Sequence, residues 1–208
     1  MNVMSINARK ELEKYLLIEF GSVTSSCARL KSSKNKLALR GAGDNLAEIY
    51  IQYLAKADGY YAGLEVLKCE AMDFCMRQSP PYTSKLLNSS FLSKTSLSER
   101  DKEFGDEIGG IIRAPELLEV KSTARKIQQR LVEFYLPAAE NCITGSLSLI
   151  DDILISPDNY AFPFLASLFC AQKNELALES DKFQKVLSTK KIFGNKKFDI
   201  ALAQKILS

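Results

Sequence analysis

Between residues 45 and 77 apolar side chains recur at helical spacing. Leu46, Tyr50, Tyr53, Ala57, Tyr60, Leu64, Leu67, Ala71 and Phe74 follow one another at steps of three or four. Asp44 or Asn45 can cap such a helix by accepting from the free amides of its first turn. At 1.5 Å per residue a helix of that span is about 50 Å long, and only other long helices can cover so long a stripe. The spacing therefore predicts an all-α fold. It is a single domain over residues 1–208, a bundle of six or seven helices around the 45–77 helix. No alternating strand pattern of useful length and no fixed-period repeat is found beside it.

The flanking segments extend the same reading. Leu12, Leu16, Phe20, Val23, Cys27 and Leu30 mark a first amphipathic helix, capped by Ser5 or Asn7 and weakened at Gly21. A basic, glycine-bearing stretch at 31–43 ends it. Residues 79–98 hold nine Ser or Thr and the pair Pro80-Pro81, which forbids helix, so 79–96 is expected to be a long loop ordered against the bundle, with a disordered or phosphorylated loop as the alternative. Ser96-Leu97-Ser98-Glu99 has capping-box spacing and predicts a helix over 97–113, with Glu99, Asp101, Glu103, Asp106 and Glu107 in its first turns. Pro115 is placed to open a further helix over 116–136, carrying Leu118, Ala124, Ile127, Leu131 and Tyr135 and kinked or ended by Pro137. Apolar periodicity resumes over 142–154, closes at Pro157, and returns strongly at 164–170, with short amphipathic pieces near 183–187 and 198–207.

What the chain lacks excludes much chemistry. Among its 208 residues there is no His, so it cannot itself supply a Ser-His-Asp or Cys-His system, an HExxH zinc site or a His-ligated haem. No GxxxxGK[ST] occurs, and neither Gly41-Ala42-Gly43 nor Gly109-Gly110 follows a predicted strand, so phosphate-cradling turns are not indicated. Asp151, Asp152 and Asp158 lack the one-face spacing and the second acidic segment that a diphosphate-bridging metal site needs. No cofactor is implied and no enzyme activity is expected. Cys27, Cys69, Cys75, Cys142 and Cys170 are odd in number, without a CxxC pair, and read as reduced buried thiols of a cytoplasmic protein with no signal peptide. The longest apolar run, 160–171, is interrupted by Pro163 and too short to span a bilayer.

Charge is the remaining signal. Residues 1–40 balance to +5 and residues 181–208 to +5, around a middle of −7. Two basic groups stand out: Lys121, Arg125, Lys126 and Arg130 at steps of four, one and four, and Lys190, Lys191, Lys196 and Lys197 near the C-terminus. Either can follow phosphates, although solvated or self-paired faces account for them more simply. Tyr50, Tyr53 and Tyr60 form a candidate aromatic pocket, with core packing as the plainer account. The reading that follows is a non-enzymatic interaction or assembly subunit that self-associates or holds a protein partner. Nucleic-acid association through the two basic groups is the alternative. An apolar-ligand pocket lined by the tyrosines and residues 164–169 is the third.

Overall fold

The computed structural model describes residues 3–25, 27–86, 89–105 and 109–207, with side chains from Ile6 onward. Its elements begin with α1 (Val3–Ser25), β1 (Leu30–Ser33), β2 (Lys36–Arg40), β3 (Asn45–Leu54), β4 (Gly59–Val66), α2 (Glu70–Arg77), β5 (Leu92–Thr95) and β6 (Ile112–Arg113). They continue with α3 (Val120–Arg130), α4 (Leu136–Thr144), α5 (Leu147–Ile155), α6 (Pro163–Lys173), α7 (Asp181–Ser188) and α8 (Lys196–Leu207). The protein is 52% helix and 17% strand, with a six-stranded antiparallel sheet, so the fold is mixed and not the expected all-α bundle. Contacts divide the chain into two compact units: residues 1–65 with 94–137, and residues 66–93 with 138–208.

The expected 45–77 helix is where the two readings part. That stretch is β3, a turn at Ala55–Ala57, β4, and only then a short helix, α2. A second period decided it. Ala47, Ile49 and Ile51 are buried at every other position, as are Tyr60, Ala62, Leu64 and Val66, which is the strand period of two. The helical stripe had gathered Leu46 and Tyr50, which leave the buried rows, together with Tyr60 and Leu64, which belong to them. Asp58, at φ 42, turns the chain so that aromatic and β-branched residues pair across two strands. Gly63 makes room for one such pairing, because a Cβ there would strike the Tyr50 ring.

In the first unit the strand order is β1-β2-β3-β4-β5, and β6 pairs with the start of β4 through Gly59↔Arg113 and Tyr60↔Ile112. Residues 31–43, read as a helix terminator, form the β1–β2 hairpin; Lys34 takes φ 44 in its tight turn. α1 and α3 pack together. They bury Leu12, Leu16, Phe20, Val120, Ala124 and Ile127, while the strands bury Leu37, Leu39, Ala47 and Ile49. α1 also packs on β1, and β2 and β3 bury alternate residues while the positions between them stay exposed or half-exposed, the usual alternation for an antiparallel sheet. α1 runs through Gly21 without a break.

The expected helix over 97–113 does not form. Residues 96–105 are turns, and Gly110, at φ +93, packs so closely on the Ser96 carbonyl that no side chain fits. Ser96 Oγ accepts from the Ala62 amide at 3.0 Å and donates to the Gly110 carbonyl at 2.6 Å, while Thr95 and Ser98 bond each other. Those hydroxyls stitch loop to strand instead of capping a helix. Asp106 and Glu107 lie outside the described residues. Helix instead begins at Val120 and continues past Pro137, because a π turn at Leu131–Tyr135 absorbs the bond that proline cannot donate.

In the second unit α6 is central, as its sequence predicted: every residue from 163 to 171 is buried. α2, α5, α7 and α8 pack on it. The described part of 79–91 carries neither helix nor strand and is held by Lys85 N–H donating to the Ala161 carbonyl and Phe91 N–H to that of Val66. Among the described residues no helix is long and apolar enough to cross a membrane.

Candidate functional site

The α3 basic row is not one surface. Lys121, Arg125 and Lys126 are exposed, but the Arg130 side chain is only 16% exposed. Its guanidinium grips Asp101 with two bonds, Nε–Oδ2 at 3.0 Å and Nη2–Oδ1 at 2.9 Å, reaches Glu103, and stacks 4.2 Å from the Phe134 ring. Tyr135 donates to the same carboxylate at 3.1 Å, and burial together with that charge pushes its hydroxyl far above the ordinary tyrosine value. The Glu103 and Phe104 amides complete the shell around Asp101. Arg130 is therefore spent inside the protein. Arg125 lies 3.4 Å from Glu19 on α1, and Lys126 lines a small cleft with Ile112, Pro115 and Glu119.

The tyrosines divide as well. Tyr53 and Tyr60 meet at 5.2 Å between ring centroids, with Arg9 stacked 3.6 Å from the Tyr53 ring. Asp58 accepts from Tyr53 and raises its hydroxyl pKa; burial does the same for Tyr60. Tyr50 instead pairs with Tyr61, 6.5 Å away, and burial beside Glu65 lifts it to about 12. On β3, positions 50 and 53 point to opposite faces, so the three rings cannot line one pocket. Residues 164–169 are wholly core. In the second unit Lys190, Lys191, Lys196 and Lys197 are all exposed around the start of α8, and Lys196 lies 5.7 Å over the Phe193 ring.

The feature that sequence reasoning missed is apolar. Leu118, assigned above to the buried stripe of a helix, is 97% exposed, and its neighbour Leu117 is 58% exposed. They sit in the approach to α3, where Val120 turns inward and begins the buried stripe. Beside them opens a groove of about 800 Å³ against α1, lined also by Lys10, Glu11, Lys14, Tyr15 and Lys121. Helical spacing carries the Glu11 and Lys14 face on to Ile18, which is 63% exposed, with Leu17 adjoining. The only warning in the sequence was Leu117-Leu118 flanked by Glu116 and Glu119, two apolar residues at one end of a charged run.

The groove is lined by Lys10, Lys14 and Lys121 against Glu11, while the exposed Glu116 and Glu119 flank the two leucines along the chain, Glu119 also lining the Lys126 cleft. Lys14 is already paired with Glu11. Among the described residues no group of three or more Cys, Asp or Glu is arranged to hold a metal ion. No protein-family model, curated protein or solved structure matches the chain.

Proposed function

We propose that the protein is an assembly subunit whose first unit self-associates across the Leu117–Leu118 surface. The observation that carries this reading is the nearly complete exposure of Leu118 beside an α1 face that also exposes Leu17 and Ile18. Isolated exposed leucines are ordinary; two consecutive ones over an open groove, rimmed by charge, are what an interaction surface presents. A second copy is the occupant that the charges favour. A two-fold axis brings a patch against itself, so a patch must complement itself, and here lysines and glutamates are interspersed around the leucines. A uniformly basic rim would instead call for an acidic partner.

Light scattering on a size-exclusion peak tests this directly. The wild type is expected at twice 23.2 kDa. Leu118→Glu has almost no packing to lose within one protomer, so it should stay folded and run as a monomer. Burying a leucine contributes about 1.5–3 kcal/mol, and a two-fold interface buries it twice, so dissociation should strengthen by at least a hundredfold. A wild type that remains monomeric at the highest concentration reached, or a Leu118→Glu variant that still dimerises, overturns the reading.

A second reading rests on the four exposed lysines at 190–197, which suit a polyanion such as nucleic acid. The same chromatographic peak reports on it. With no Trp the protein absorbs weakly at 280 nm, so co-eluting nucleic acid would raise the 260 nm signal and be stripped by salt.

A further inference from the structure

A second groove, of about 790 Å³, opens in the first unit, within the ~300–1,000 Å³ span of small-molecule sites. Tyr50 and Gln52 of β3 and Glu65 of β4 line it, as do Lys34, Asn35 and Lys36 at the β1–β2 turn. The strand residues belong to the sheet face opposite the buried rows, since Ile49, Ile51, Leu64 and Val66 alternate with them. The Tyr50 ring is held over Gly63, where a Cβ would strike it, and meets Tyr61 edge-on at 6.5 Å between centroids. A fixed aromatic ring thus stands at the groove with polar groups around it.

Some of those polar groups are spent and others are free. Lys36 pairs with Glu48 at 2.9 Å, and Asn45 donates to the same carboxylate. Gln52 Oε1 accepts from the Tyr61 hydroxyl at 2.6 Å, which leaves the Gln52 amide NH2 unused. Asn35 Oδ1 is closed to water and unpartnered, so the NH2 end of that amide is the one that reaches the groove. Among the described residues Glu65, Lys34 and the Tyr50 hydroxyl make no hydrogen bond or ion pair. What is left over is one carboxylate, one ammonium, two amide NH2 groups and a phenol, with no net charge.

We propose that this groove binds a neutral oligosaccharide. A phosphate would meet the Glu48 and Glu65 carboxylates, and an organic cation would meet Lys34 and Lys36, so the charges select against both. A sugar hydroxyl donates and accepts, which matches the mixed set of free groups. Glu65 accepts from two adjacent hydroxyls at once, and the Asn35 and Gln52 amides donate to others. The C–H face of the sugar carries a slight positive charge and packs on the negative face of the Tyr50 ring. The groove is open rather than enclosed, which suits a chain of sugars more than a single ring.

The test screens the full wild-type chain against an array of neutral, sulfated and sialylated glycans. Binding to at least one neutral glycan is expected, and added salt should leave it unchanged because the ligand carries no charge to screen. That glycan, added to isotopically labelled protein, should shift the backbone amide resonances of residues 33–36, 50–52 and 65. Glu65→Ala should weaken binding by roughly tenfold or more and Gln52→Ala by severalfold, the difference between a charged and a neutral hydrogen bond. Failure to bind any neutral glycan, binding confined to sulfated or sialylated ones, or shifts that fall elsewhere on the chain overturns the proposal. The wild-type shifts decide it even if a variant fails to fold.

Discussion

Removing the Arg130 side chain separates an internal charge from a surface one. Asp101 has only 4% of its side chain exposed, and Arg130 is its cationic partner among the described residues, held through two bonds. In Arg130→Ala the carboxylate keeps the Tyr135 hydroxyl and two amides but loses that compensating charge. Breaking a buried pair from one side costs about 3–5 kcal/mol, and the remaining donors place this case near the lower end. Loss of the Phe134 stacking adds about 0.5–1 kcal/mol. Arg125→Ala is the control, because Arg125 is 66% exposed and its contact with Glu19 is a surface pair of less than about 1 kcal/mol. Two compact units can unfold separately, so hydrogen exchange resolved on peptides from 94–105 and 120–136 is the right assay; it reads the first unit alone. Arg130→Ala should raise opening there by roughly several hundredfold, at tenfold per 1.4 kcal/mol, and Arg125→Ala by severalfold at most. Asp101→Asn combined with Arg130→Met should recover part of the loss, since no uncompensated charge remains. Equal effects of Arg130→Ala and Arg125→Ala would refute the argument that Arg130 is withheld from solvent partners.

Two further expectations concern pH and glycine. Burial raises the Asp199 carboxyl above its usual value of 3.8, although the Tyr82 hydroxyl and the Gly194 and Asn195 amides oppose the shift. The folded protein then holds this proton more tightly than the unfolded chain, so its contribution is full below 3.8 and lost as pH rises through the folded value. Asp199→Asn should remove that fall from a plot of Tm against pH; an unchanged slope would count against it. Gly110→Ala should cost about 2 kcal/mol or more by driving a Cβ onto the Ser96 carbonyl at φ +93. Gly21→Ala meets nothing within 4 Å in a helix and should add about 0.5–1 kcal/mol. Urea denaturation checks both, and a neutral Gly110→Ala would contradict the packing described.

Helices were legible wherever one period stood alone. Leu12, Leu16, Phe20 and Val23 recur at helical spacing, and α1 covers them, but Cys27 and Leu30, counted in the same stripe, lie beyond its end, Leu30 opening β1. α6 was legible for a different reason, a run of apolar residues after Pro163 with no polar face to compete. The 46–66 stretch satisfied two periods at once. Tyrosines at 50, 53 and 60 fit a helical stripe, while 47, 49, 51, 60, 62, 64 and 66 fit two strands. Short strands lose such a contest on length, yet Ile49, Tyr50, Ile51 and Tyr53 favour the pleated surface, and pairing with β2, which no local window contains, settled it.

Charge was legible only in part, for a related reason: spacing tells which basic residues share a helix face, not which of them meets an acid from elsewhere. Lys121, Arg125, Lys126 and Arg130 look equivalent in the sequence, but a loop 29 residues upstream brings Asp101 to Arg130 alone. The same non-local step exposed the leucines. Had the helix begun at Pro115, Leu118 would have extended the stripe of Ala124, Ile127 and Leu131. Because it begins at Val120, the chain enters the helix with Leu117 and Leu118 outside the covered face. The candidate surface thus lies where the segment reaching α3 departs from its expected helix, beside an α1 whose inner stripe is satisfied and whose outer face still shows Leu17 and Ile18. Apolar residues left outside by a register that the core determines are what a second copy can cover without disturbing the first.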